Sequence, residues 1–491
     1  MRDERLVVGF LVFHLLVAAP GFALLSALGL VRLRPQALLA AAGPAFVVGA
    51  VAAGVPLIAL VVLGVPVTPA VSLAVVGAVT LALVLVARLM RPAEVSVAAH
   101  AGDAPPRVEV VIERLVLGAI AVYFTVGSLA FTHVPTLWDD ANIWSFKGMA
   151  LFHHDGLIDG VGRNPQLSFV HLDYPILHPL LESSFFHAIG GQDLRLWHLE
   201  LWLIFAALIW TLAWLLAPLG RRWLWVLVLA VVSVSGILIA NITLGDADTT
   251  MAAYVGCAAL SFGIWLDRGH RAHALLGAVF LAGGANVKNE GMAFGLAVGI
   301  ALVIALMPSG VRARWRDLAL AAAIAVLSVL PWQAWVATNP AAARATPSPW
   351  ELADDPSFLV DRLSYLWRGI QQIAVQLTTT AEWGLIFPAF VVVALALVVV
   401  GRHRAVATYY GVASLLAIAT VAYTYWVTSI SDLGGFEQRT GPRIVLGIIF
   451  IIAAGLAHLL QLATRVAVSP GAEPAEPRSA AAREPRAEVG V

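Results

Sequence analysis

Residues 272–307 read AHALLGAVFLAGGANVKNEGMAFGLAVGIALVIALM. Two apolar runs flank one polar step, Lys288-Asn289-Glu290. At about 1.5 Å of rise per residue and about 30 Å of hydrocarbon, this stretch is too long for one straight crossing. It is also short for two full crossings joined by a loop. It predicts a hairpin of two short helices whose turn lies below the membrane surface. Polar, non-helical backbone at that depth must be buried in protein or line a cavity.

The same apolar character extends over nearly the whole chain. Hydrophobic residues make up 60% and charged residues 12%, with a mean hydropathy of +0.87, values that exclude an ordinary soluble domain. Apolar stretches fall near 6–28, 38–64, 69–90, 112–133, 195–217, 223–242, 249–266, 272–286, 292–307, 318–337, 383–401, 406–429 and 443–463. The fold expected is an all-α polytopic membrane protein with about 13 transmembrane helices. The alternating ten-residue segments of an outer-membrane barrel are absent. Formal net charge is zero, which argues against a nucleic-acid partner and a polybasic lipid anchor. The one cysteine, Cys257, excludes an intrachain disulfide and reads as a small core residue.

Arginine sets the expected orientation. Arg32 and Arg34, Arg88 and Arg91, Arg107 and Arg114, Arg221 and Arg222, Arg268 and Arg271, Arg312 to Arg316, and Arg402 and Arg404 fall in alternate connections. The positive-inside rule places these in the cytoplasm. Residues 134–194, 243–248, 287–291, 338–382 and 430–442 then face outward, with the N-terminus outside and retained as a helix. Residues 1–91 form three N-terminal spans of no assignable role, and 92–111 a cytoplasmic linker. Residues 112–463 form the membrane core, with the outer loop 134–194. Residues 464–491, rich in Ala, Pro, Glu and Arg, read as a disordered cytoplasmic tail.

Only two of the thirty basic residues are lysines, Lys147 and Lys288, and each lies in a polar break beside acids. A lysine ammonium is a compact point charge suited to a phosphate. Lys147 follows Trp138-Asp139-Asp140-Ala141-Asn142-Ile143-Trp144 at the start of the longest outer loop. The Asp139–Asp140 pair reads either as a helix cap or as a general base at the membrane surface. Stretches 144–152 and 174–189 are amphipathic and predict short interfacial helices. Asp246 and Asp248 open an outward helix start. They could cap it, or with water and phosphate could hold a divalent cation, Mg or Mn. His153, His154, His171 and His178 read as interfacial or hydrogen-bonded side chains before metal ligands. Arg439 and Arg443 sit outside against the charge rule and fit either lipid headgroups or a substrate phosphate. Lys288 has Glu290 as its nearest acid in sequence, so an ion pair and a phosphate site are both open.

The motifs together resemble bacterial GT-C-fold glycosyltransferases that use polyprenyl-phosphate sugars, relatives of the protein O-mannosyltransferases and the lipid A aminoarabinose transferase. Four pieces carry the likeness in order. They are Trp138-Asp139 with Lys147, His171-Leu172-Asp173-Tyr174-Pro175, Gly245-Asp246-Ala247-Asp248, and Lys288-Asn289-Glu290-Gly291. Arg439 falls where a late outer arginine is expected, and the likeness covers residues 112–463. It implies a helical bundle whose first outer loop packs short amphipathic helices over a membrane-level cavity. It also implies transfer of a sugar from a polyprenyl-phosphate donor, with inversion, to a hydroxyl of a glycan, lipid or protein acceptor. The site would face outward from the bacterial plasma membrane. Asp139 matches the family's base, and Asp140 departs from the close relatives, which leaves open which of the two acts. Lys147, Asp173, Tyr174, Asp246, Asp248, Lys288, Glu290 and Arg439 would bind substrate or its phosphate; no cofactor is implied, and a divalent cation, Mg or Mn, stays open. The competing reading is a multi-pass transporter or flippase, which would place ionisable groups near the bilayer midplane.

The arginine pattern makes a direct prediction. Single cysteines at Gly160 and Gly435 react with a membrane-impermeant reagent in intact spheroplasts, and cysteines at Pro218 and Arg404 do not. External labelling at 404 would invert the topology.

Overall fold

The computed structural model describes residues 2–32, 34–90, 107–131, 140–158, 160–308, 314–339, 356–427 and 440–468. Asp139, Arg439, most of the linker and most of the C-terminal tail lie outside the described residues. Among the described residues every regular element is helical.

The chain begins with α1 (Arg2–Ala27), a short α2 (Pro35–Ala40), α3 (Ala42–Val62), α4 (Pro69–Met90) and α5 (Arg107–Phe131). The loop after α5 folds into a π-helical turn (Asp140–Trp144), α6 (Ser145–His154), two 3₁₀ turns (Val161–Arg163 and Pro165–Val170) and α7 (Leu177–Ile189). Then come α8 (Leu194–Leu216), α9 (Arg222–Ser233), α10 (Gly236–Leu244), α11 (Ala247–Arg268), α12 (Arg271–Val287), α13 (Asn289–Leu306) and α14 (Trp315–Thr338). The last described part holds α15 (Pro356–Asp361), α16 (Leu363–Thr378), α17 (Thr380–Trp383), α18 (Ile386–Val400), α19 (Arg404–Val427) and α20 (Leu446–Val468).

Among the described residues ten helices are long and apolar enough to cross a bilayer, which makes this a polytopic helical membrane protein. Three of the thirteen apolar stretches of the sequence form helices that are short or broken. The 223–242 stretch divides into α9 and α10, bent by 54°. The bend has a local cause: Ser235 leaves the helix, and the Glu382 carboxylate accepts from Ser235 Oγ at 3.0 Å and from the Ile237 amide at 3.1 Å. It therefore satisfies donors at the start of α10. The other two are α12, of 17 residues, and α18, of 15.

The 272–307 stretch breaks at Lys288, whose backbone is extended (φ −154°, ψ 149°) between α12 and α13. Gly291, in the first turn of α13, packs onto the backbone of Gly284 in α12, where any Cβ would collide. The two short helices thus turn back in close contact, as their length demands.

Helices α1 and α3 belong to the same hydrophobic core as α7, α8, α11 and α12, through Phe13, Val47, Ile58, Leu177, Phe185, Leu208 and Val255. The Tyr254 hydroxyl on α11 donates to Val47 O on α3 at 2.9 Å. The crossing of α1 and α3 depends on glycine: a Cβ at Gly49 would meet Val17 O and the Gly21 amide, backbone atoms that cannot swing away. Gly49→Leu forces the helices apart and should cost about 1–3 kcal/mol, as overpacking does. Thermal unfolding in detergent checks this, and an unchanged melting temperature would contradict the close crossing.

Candidate functional site

The polar breaks singled out in the sequence meet at one end of the bundle. The Lys288 ammonium contacts Asp248 Oδ1 at 2.7 Å and Glu290 Oε1 at 3.3 Å. Lysine and Asp248 are both buried. Burial pulls the lysine pKa down, but Asp248 and Glu290 more than reverse this and leave it well above its ordinary value. Asp248 lies in the first turn of α11, where the free helix amides also favour a negative charge. The nearest acid in sequence is therefore only the second partner, and the closer one lies on a different helix.

Asp246 sits at the N-cap of α11, yet its side chain makes no capping bond. It instead accepts from Arg443 Nη1 at 2.8 Å, an arginine in the helical turn 440–444 just before α20. Gly245 (φ +77°) permits the reversal from α10 into α11, and a Cβ there would fall on the Asp140 carboxyl. Asp140, at the start of the π turn, is fully buried and accepts from the Ser145 hydroxyl at 2.9 Å. Burial pushes its pKa up to about 8. Asp246 adds to the rise, and the Ser145 hydrogen bond opposes it.

Lys147 points the other way. Its ammonium donates to His171 O at 2.6 Å and Tyr174 O at 3.2 Å and so holds the turn between the 3₁₀ segment and α7. Burial lowers its pKa to about 7 against the pull of Asp173. The Tyr174 ring stacks on Trp144 (5.5 Å between centroids, 4° between planes) and on His171 (5.0 Å, 13°). Both lysine ammoniums lie near that ring, Lys147 at 5.8 Å and Lys288 at 5.5 Å from its centroid. Burial, with Glu290 beside it, raises the Tyr174 hydroxyl above its usual range. Asp173 Oδ2 accepts from Asn289 Nδ2 at 2.7 Å, and its carbonyl accepts from Trp332 Nε1 on α14 at 3.0 Å. Outer loop, hairpin turn and α14 are thereby tied together.

The structure thus brings Asp140, Lys147, Asp173, Tyr174, Asp246, Asp248, Lys288 and Glu290 into one cluster. Asp139 and Arg439 are outside the described residues. Among the described residues, Arg443 is the late arginine in the cluster. The reading from sequence passed over Ser145 and Trp332, and it gave no role to Glu182 or to the Asn289 side chain. Glu182 and His178, on the amphipathic stretch 174–189, are both fully buried. Burial lowers His178 to about 4, so it is a neutral core side chain, packed edge-on to Trp144 and Trp197. Among the described residues no three His, Cys, Asp or Glu side chains are grouped to hold a metal ion. Asp246 and Asp248 are each held by a cation of the protein instead.

No family model, no curated protein and no solved structure matches this chain.

Buried ion pairs fail badly when one partner is removed, because the other charge is left uncompensated. Lys288→Met should destabilise the protein by about 3–5 kcal/mol. Adding Asp248→Asn should restore part of that loss. Thermal unfolding of the two singles and the double checks the coupling, and additive losses would show that the pair does not hold the turn.

Proposed function

We propose that this protein is an integral membrane glycosyltransferase. In this reading it moves a sugar from a polyprenyl-phosphate donor to an acceptor hydroxyl on the extracytoplasmic face of the bacterial plasma membrane, in synthesis of a cell-envelope glycan or glycolipid. One observation carries the reading. Acids and cations from four distant segments, 140–147, 173–174, 246–248 and 288–290, meet Arg443 at one end of a membrane bundle. A donor with a lipid tail explains why such a cluster belongs at a membrane: the tail stays among the helices while the phosphate reaches the charged end.

The base must come within hydrogen-bond reach of the acceptor hydroxyl. Asp140 is enclosed by Ser145, Gly245 and the neighbouring acids, so Asp139, one residue upstream, is assigned the proton. As the hydroxyl oxygen bonds to the anomeric carbon, its proton passes to the carboxylate, and the bond from that carbon to the phosphate oxygen breaks. A single displacement of this kind inverts the anomeric centre. The leaving lipid phosphate gains negative charge, which fixed cations stabilise. Lys288 and Arg443 are those cations. Lys288 already holds Asp248 and Glu290, and Arg443 holds Asp246, which keeps each side chain in place before the donor arrives. Tyr174, Asp173 and Lys147 shape the turn that faces them.

Asp139→Asn should lower transfer about 10²–10⁴-fold, the usual contribution of a general base, without changing membrane insertion. The check is mass spectrometry of envelope glycans from a deletion strain complemented with wild type or Asp139→Asn. A variant that restores the missing glycan would overturn the assignment of the base. A deletion that changes no glycan, with compensating loss of a transported solute, would favour the transporter reading.

A further inference from the structure

Glu182 has no place in the reaction just described, yet it is among the most deeply buried carboxyls at the site. It projects from α7 toward Gly148 on α6, where a Cβ would strike its carboxyl. Ser145 stands one turn before Gly148 on the same helix, so the Glu182 carboxyl lies on the face of α6 that carries Ser145 and, through its hydrogen bond, Asp140. Neither Glu182 oxygen, nor Asp140 Oδ2, has a hydrogen-bond partner among the described residues. The cations nearby are committed elsewhere. Lys288 is held by Asp248 and Glu290, Arg443 by Asp246, and Lys147 by two carbonyls. The other elements packed on α7 bring little charge to it. From α1 comes His14, whose Nε2 faces Glu200 of α8 at 3.1 Å. Helix α3 carries no ionisable residue, α4 has only Arg88 in its last turn, and α12 leads into Lys288. On α7 itself, His178 one turn earlier is neutral.

Two adjacent buried carboxyls with no cation between them cannot both ionise. Ser145 supplies the link, since its hydroxyl donates to Asp140 Oδ1 and leaves its oxygen free to accept. We propose that one proton is held along the chain Glu182–Ser145–Asp140, with Glu182 as donor to Ser145. This makes Glu182 a positioning residue that pins the π turn, which begins at Asp140, onto α7. No covalent bond changes; the proton moves only between oxygens of the chain. Its consequence for catalysis rests on the transferase reading, but the existence of the chain does not.

Burial drives both carboxyls above their ordinary values, Asp140 to about 8. The sign follows from linkage. A carboxyl that holds its proton more tightly when folded favours the fold at low pH. That advantage is lost as pH rises above the unfolded value and through the raised folded ones.

Infrared difference spectroscopy of the purified full-length protein, in light and heavy water, tests the chain directly. Wild type should show a buried protonated carboxyl band at pH 7 that Glu182→Gln removes. The melting temperature of wild type should fall between pH 5 and 8, and Glu182→Gln should flatten that fall. Gln retains a donor for Ser145, whereas Glu182→Leu has none. Transfer should therefore drop on the order of tenfold further in the Leu variant than in the Gln variant, the scale expected of a misplaced reactive group. No protonated band at pH 7, or the same pH slope with and without Glu182, would overturn the proposal. Spectroscopic and melting results as expected with no transferase activity in wild type would instead remove the functional reading and leave the proton chain standing.

Discussion

The Lys288–Asp248 ion pair is the contact on which the charged end of this protein depends. A lone ammonium buried between two short membrane helices is untenable without an anion, and a carboxylate at a helix start inside the same packed region is equally so. Each makes the other's position tolerable. The pair fixes the α12–α13 turn against the start of α11. That contact sets where Asn289 meets Asp173 and where Asp246, two residues upstream, meets Arg443. Four connections that are far apart in sequence become one surface because their charges have to be neutralised together.

The hydrophobic frame delivers those connections to the same end. The break between α12 and α13 places Lys288 beside the start of α11, and the bend between α9 and α10, capped by Glu382, redirects the chain into Gly245 and Asp246. The N-terminal helices take part in this frame. Packing of α1, α3 and α4 around α7 supports from behind the helix that follows Tyr174 and carries Glu182. A part of the chain with no recognisable motif is thereby physically continuous with the part that has them.

Much of this was legible in the sequence, for identifiable reasons. A chain with almost no lysine makes each lysine conspicuous, and the length of 272–307 required a break where Lys288 stands. Helix existence followed from hydropathy, but the number of full spans did not, because hydropathy cannot tell a 17-residue helix from a crossing or see the bend at Ser235. Asp246 looked like a cap from its place before a helix, and only the approach of Arg443 from the far end of the chain shows that it serves as an ion-pair partner. Charge reasoning pointed to both Arg439 and Arg443 and could not choose between them. Glu182 stands among the acids of the outer loop in the sequence, but only the structure shows it fully buried, with its carboxyl against Gly148 of α6.

The central claim is that this cluster receives a lipid-linked phosphate. Native mass spectrometry of the purified protein with undecaprenyl phosphate measures that most directly, comparing wild type with Arg443→Ala. The account predicts one bound lipid phosphate on wild type, displaced by excess unlabelled lipid phosphate but not by a neutral polyprenol, and markedly weaker binding to the variant. Equal binding of the phosphate and the neutral alcohol, or equal binding by both proteins, would contradict it.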